Sequence, residues 1–187
     1  VCEGTVYLPW RVVFTGKSIA DLYNQKSIYL SLNEAPQGDF SWVKAGISMW
    51  DWRVKGCTFD GFTYGMNNES LKRFIDFCAE MGLDYFLLDA EWYEKHNPLK
   101  PVEGLDIKEV ISYGNQKNVG TLLYYDMKYS DKDCPVIDFD TVASTYAGYG
   151  AKGVKFGFLG AFGPKYTLQE KTQKTEELIR IASKYKL

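Results

Sequence analysis

Five ionisable side chains stand at or near the ends of short apolar runs. Asp51 stands near the end of Val43–Trp52, with Trp50 and Trp52 on either side. Asp89 and Glu91 fall in Tyr85–Trp92 (YFLLDAEW), Asp126 ends Val119–Asp126 (VGTLLYYD), and Lys155 sits within Gly153–Leu159 (GVKFGFL). A carboxylate that closes an apolar strand suits general acid–base work, because burial and neighbours tune its pKa. Asp126 is the catalytic candidate on that ground. The competing role for Asp126 is a cap or a rim ion pair with Lys128. Lys155 and Gly157 share one parity and the two phenylalanines of the run share the other, so the lysine points away from the helix side. An inward lysine is expensive unless its ammonium reaches a polar cleft or a carboxylate. It therefore snorkels to the rim, touches a substrate or pairs with an acid. Gly157 either leaves space for a ligand or marks tight packing.

The remaining candidates for substrate binding are Trp50, Asp51, Asp89, Glu91 and Trp92. Trp50-Asp51-Trp52 can offer a ring and a carboxylate to a sugar, with core packing expected for at least one of the tryptophans. Asp89 and Glu91 share parity, and Asp89 is the better placed for structural hydrogen bonding. Aromatic residues make up 16% of the chain, with 14 Tyr and 5 Trp. That suits either a packed α/β core or a carbohydrate site in which rings stack on sugars. His96, in a polar loop, has no assigned role.

The elements that must position these groups repeat about every 35 residues, the size of one strand-plus-helix unit. Four apolar runs alternate with four amphipathic helix patterns, which predicts a parallel sheet with ligand groups beyond its carboxyl ends. Helix Glu69–Met81 has its stripe at Leu71, Phe74, Ile75, Cys78 and Met81, a cap at Asn67 or Asn68, and a stop at Gly82. A second helix opens on an Asp106-to-Glu109 capping box, with Ile107, Val110 and Ile111 inward. A third spans Phe139–Tyr149. A fourth starts at a Thr167-to-Glu170 box, with Leu178, Ile181, Ala182 and Tyr185 inward. Loops after the strands are long and the returns short, the pattern that gathers function on one face. Before residue 41, Val6–Phe14 alternates like a strand and Tyr29–Ser41 reads as a linker, so residues 1–40 and 41–187 form separate parts.

The fold class that follows is α/β: a partial (β/α)8 barrel of about four units, preceded by a short strand and linker. A complete barrel needs about 250 residues, so at 187 residues the chain is expected to be part of a longer protein. Its net charge of −2, with interspersed signs, argues against nucleic acid. Four cysteines without CxxC spacing argue against zinc and dithiol chemistry, and Cys78 reads as a core residue. No apolar run reaches the length of a membrane span. A four-stranded sheet has two open edges, which invite self-association.

In order along the chain, Pro9-Trp10-Arg11-Val12, Leu32-Asn33, Ser41-Trp42-Val43-Lys44, Trp50-Asp51-Trp52, Tyr85 through Asp89 with Trp92-Tyr93, and Gly153-Val154-Lys155 resemble glycoside hydrolase family 97. The resemblance implies a β-sandwich before a catalytic (β/α)8 barrel, acting on α-glucosidic or α-galactosidic bonds of an oligosaccharide. It also implies a calcium cofactor, with most ligands outside this chain, and a periplasmic or secreted setting. Retaining members carry an Asp nucleophile two residues after the fourth-strand Lys, in a pattern like VKVDFM; here Gly157 stands there. Inverting members look like VKSGYVG, close to VKFGFLG, and place a base, normally Glu, where this chain has Asp126. The resemblance therefore implies an inverting α-glucosidase-like enzyme in which Asp126 activates water. Asp is one methylene shorter than Glu, so either the water shifts or the base weakens. The general acid and a second base come from later strands in the family. This chain alone is expected not to hydrolyse glycosides. A sugar-binding barrel without catalysis and a self-associating half-barrel are the competing expectations.

Overall fold

The structure is a computed structural model that describes residues 11–32, 34–35, 37–130, 137–157 and 166–187, without the side chains of 129 and 130. The chain divides into two units, Val1–Ser41 and Trp42–Leu187. The described part of the first holds two short helices, α1 (Ile19–Asn24) and α2 (Ser27–Ser31). Ser18 caps α1, accepting from the Asp21 N–H at 3.1 Å. Neither helix has a buried residue, so no apolar stripe announces them in the sequence, where the second overlaps the supposed linker. Of the expected strand Val6–Phe14, residues 6–10 lie outside the described residues and Arg11–Phe14 form no regular element.

The second unit holds a parallel sheet in the order β1 (Ser48–Trp50), β4 (Tyr85–Leu88), β5 (Gly120–Asp126) and β6 (Gly153–Gly157). Helices α3 (Asn68–Glu80), α4 (Ile107–Gln116), α5 (Phe139–Tyr149) and α6 (Leu168–Lys184) follow the four strands in turn. This is the strand–helix succession of a partial barrel. The register pairs Trp50 with Leu87, Leu87 with Leu122, Tyr124 with Lys155, and Asp126 with Gly157. Registered partners share a face of a parallel sheet. One face therefore presents Trp50, Leu87, Tyr124, Asp126, Lys155 and Gly157.

The other face makes the core. Phe86 stacks on Phe74 of α3, while Phe156 and Tyr125 pack on Phe139 of α5. Leu71, Ile75 and Cys78 of α3, Val110 and Ile111 of α4, and Val142, Ala143 and Tyr146 of α5 are fully buried with them. Each large aliphatic side chain so buried contributes about 1.5–3 kcal/mol. The stripes predicted from helical period are thus the buried ones, apart from Met81, which is exposed. In α6 only Leu178 and Ala182 are buried, with Ile181 and Tyr185 partly so.

Caps set the helix starts. Asn67, Asp106, Asp138 and Thr167 each accept from the N–H three residues on. The Thr167–Glu170 box closes in both directions. The Asp106–Glu109 box does not: Glu109 reaches across to Lys72 and Asn68 of α3, and Asn68 Oδ1 accepts the Asp106 N–H at 2.8 Å. Gly82 leaves α3 with φ +67, a left-handed turn that costs glycine nothing.

Two expectations change at the first unit of the barrel. The run Val43–Trp52 yields only three strand residues, Ser48–Trp50, before the chain turns into a helical turn at Asp51–Arg53. The long loop that follows contains a hairpin, β2 (Thr58–Phe59) with β3 (Phe62–Thr63), around Asp60-Gly61. Both turn residues have positive φ, as a two-residue hairpin turn requires.

Candidate active site

Asp89 is the hub at the carboxyl end of the sheet. It stands one residue past β4 and is 4% exposed. Its Oδ2 accepts from the Trp50 indole N–H and pairs with the Lys155 ammonium. Its Oδ1 accepts the Ala90 N–H at 2.6 Å. The Lys155 nitrogen also lies 4.8 Å from the Trp50 ring centre and 5.6 Å from that of Tyr124, within cation–π range. With 38% of its side chain exposed, Lys155 reaches the carboxylate while keeping a face toward the mouth. Of the roles open to it, pairing with an acid is the one the geometry displays.

Asp51 supports this hub through the Asp89 backbone. It is 3% exposed, and its Oδ1 accepts the Asp89 N–H at 2.8 Å. Burial pushes its carboxyl up to about 6, and the Asp89 charge adds to the rise. The Asp89 N–H, its own N–H and Lys55 pull the other way. A carboxyl raised on folding holds its proton more tightly in the native state. Its contribution to stability is therefore greatest below the ordinary carboxyl value of 3.8 and is lost as pH rises through about 6.

Asp126 ends β5 opposite Gly157. Its Oδ1 accepts the Lys128 N–H at 3.0 Å and its Oδ2 pairs with the Lys128 ammonium at 2.7 Å, so it both caps the turn Met127–Ser130 and forms an ion pair. Its own N–H donates to Tyr93 Oη at 3.1 Å. Gly157 is tightly packed: an added Cβ would lie 2.1 Å from Tyr124 Cε2 and 2.4 Å from its Oη. The Tyr124 ring fills the place where a β6 side chain would stand.

Two candidates do not join the cluster. Trp92 is fully buried, donates its indole N–H to the Tyr124 carbonyl at 3.0 Å and packs on Tyr93 and Tyr146. β4 ends at Leu88, so the chain has left the sheet before it reaches Trp92, whose ring packs toward Tyr146 of α5. The Trp92 ring has no exposed surface and stands in the core. Glu91 has a positive φ of 74, and its exposed carboxylate pairs with Lys55 of the loop after β1. Tyr124 and Tyr93 were not among the sequence candidates. The parity linking Tyr124 to Asp126 marks the first; nothing local marks the second.

Among the described residues, no group of three or more His, Cys, Asp or Glu side chains could hold a metal ion. The nearest arrangement, Asp51 with Asp89, has oxygens engaged by backbone N–H groups, the Trp50 indole and an ammonium. These residues do not fit calcium. A wide cavity at the opposite end of the sheet, lined by Gly46, Asp84, Gly120 and Lys152, holds none of the clustered groups. No helix among the described residues is long and apolar enough to cross a membrane.

The profile of Glycoside hydrolase 97 matches residues 49–187. A retaining alpha-galactosidase of Bacteroides thetaiotaomicron is 31% identical over 183 residues, 96% of this chain and 26% of that protein. A probable retaining alpha-galactosidase of Streptomyces bingchenggensis is 25% identical over 165 residues, 84% of this chain and 24% of that protein. The chain thus spans about a quarter of the length of these curated relatives. A glycoside hydrolase family 97 enzyme from Pseudoalteromonas, solved in complex with panose, superposes with a TM-score of 0.73 at 20% identity. That match covers 92% of this chain and 30% of the other.

Proposed function

The chain belongs to glycoside hydrolase family 97, and from that premise we propose that the full-length gene product hydrolyses α-galactosides or α-glucosides with inversion of the anomeric centre. The names of the curated relatives support an α-galactoside, and the panose complex of the structural neighbour supports an oligosaccharide. Those relatives are named retaining; the reading departs from them on one observation. The β6 position where the resemblance puts a retaining nucleophile is Gly157, and the Tyr124 ring occupies its side-chain space.

In this reading the Trp50 ring and the free face of Lys155 bind and orient the sugar at the mouth. The indole meets an apolar sugar face, and the ammonium donates to a hydroxyl. Asp126, paired with the Lys128 ammonium, takes a proton from the attacking water. Inversion needs a second carboxyl about 6.5–9.5 Å away as general acid, which would come from outside this chain. Calcium, an oligosaccharide partner and a periplasmic or secreted setting belong to the same proposal for the longer product. Any calcium cage would draw on groups beyond the described residues, and no step here runs through it. The missing barrel strands, rather than a second copy, would pair with the edges of β1 and β6.

Asp126→Asn tests the assignment. With p-nitrophenyl α-galactoside and α-glucoside, kcat is expected to fall by about a hundredfold or more with KM little changed. A second reading, a sugar-binding barrel without turnover, is favoured by the Lys128 clamp on Asp126. Sugar binding without measurable hydrolysis by the unmodified protein would establish that reading instead.

A further inference from the structure

Asp51 is a buried titratable group that the proposed chemistry does not use. It lies at the end of β1, yet its hydrogen bond crosses to the backbone of Asp89 on the next strand. Asp89 in turn holds Trp50 and Lys155, the two groups read above as contacts to the sugar. Four residues on three strands are therefore fixed in one chain of contacts, and Asp51 is its base. We propose that Asp51 is a positioning residue that acts through Asp89 to set where Lys155 presents its ammonium to the sugar. The inference rests on the reading of Lys155 as part of the substrate subsite.

Asp51 faces the Asp89 carboxylate from the end of β4 and, more weakly, Lys55, which is itself paired with Glu91. Lys155 stands beyond Asp89. With Asp51 protonated, Asp89 and Lys155 neutralise each other. When Asp51 ionises, a second negative charge enters beside Asp89 and draws the ammonium toward the carboxylates, away from the mouth. Burial already pushes that carboxyl up to about 6, so sugar affinity should weaken as pH rises through that region.

The test is KM for p-nitrophenyl α-galactoside against pH, between about pH 5 and pH 8, in the full-length gene product. KM should rise severalfold across about pH 6 in the unmodified protein. Asp51→Asn keeps an oxygen for the Asp89 N–H but cannot ionise, so the rise should disappear. Asp51→Ala, which removes the acceptor, should raise KM at every pH; should it not fold, the Asn variant alone decides. A merely structural Asp51 would alter the unfolding midpoint and leave the KM profile of Asp51→Asn identical to that of the unmodified protein, which overturns the proposal. Lys155→Met separates the two levels: unchanged KM there removes Lys155 from the subsite, and both readings fall. A raised KM with an unaltered Asp51→Asn profile defeats the positioning role alone.

Discussion

Lys155→Met in the full-length gene product should lower the unfolding free energy by about 2–4 kcal/mol near neutral pH. Removing one partner of a buried ion pair costs about 3–5 kcal/mol, because the other charge stays buried without compensation. Asp89 is that remaining charge, with the Asp51 carboxyl beside it. The expected loss is set below the full range for two reasons. The Lys155 side chain is 38% exposed, so water reaches the pair. The Trp50 indole and the Ala90 N–H also remain as donors to Asp89. Urea denaturation measures the loss as a shift in midpoint at constant slope. A loss below about 0.5 kcal/mol would make this an exposed pair of little consequence, contrary to its burial.

Gly157→Ala should destabilise by about 1–3 kcal/mol and disturb the subsite as well. The new methyl would sit 2.1 Å from Tyr124 Cε2, so the ring must leave a place where it is only 3% exposed. Tyr124 also lies beside the Lys155 ammonium, and its displacement removes one wall of that cation's setting. The two positions should therefore be coupled. In a double-mutant cycle, Gly157→Ala should cost about 1 kcal/mol less in a Tyr124→Ala background than alone. Additive effects would mean that the glycine is needed for some reason other than the ring.

How much of this the sequence discloses depends on how local each determinant is. The box at Thr167 was legible because its partner lies three residues on, and the bounds of α5 because its apolar stripe is local. The parity of β6 was legible for the same reason, and Phe156 duly packs on Phe139 while Lys155 faces the opposite side. The Asp89 hub was not, because its partners stand 39 and 66 residues away. Spacing showed that these groups close neighbouring strands but not which oxygen meets which donor. Trp50 and Trp92 both follow apolar runs, and only the end of β4 at Leu88 separates a ring at the mouth from one in the core. Glu109 abandoned its capping box because Lys72 and Asn68 on the next helix offered better partners. The Asp60-Gly61 hairpin is a different case: its Thr-Phe-Asp-Gly-Phe-Thr signal is local, but it lies inside a long loop with no apolar run to flag it.

The stereochemistry of the first-formed product tests the central claim most directly. Proton NMR of the full-length gene product acting on p-nitrophenyl α-galactoside or α-glucoside would record the sugar anomer before mutarotation. The β-anomer appearing first is the predicted result, since it requires water to attack with no covalent intermediate at β6. The α-anomer appearing first would contradict it and place a nucleophile where Gly157 and Tyr124 leave no room.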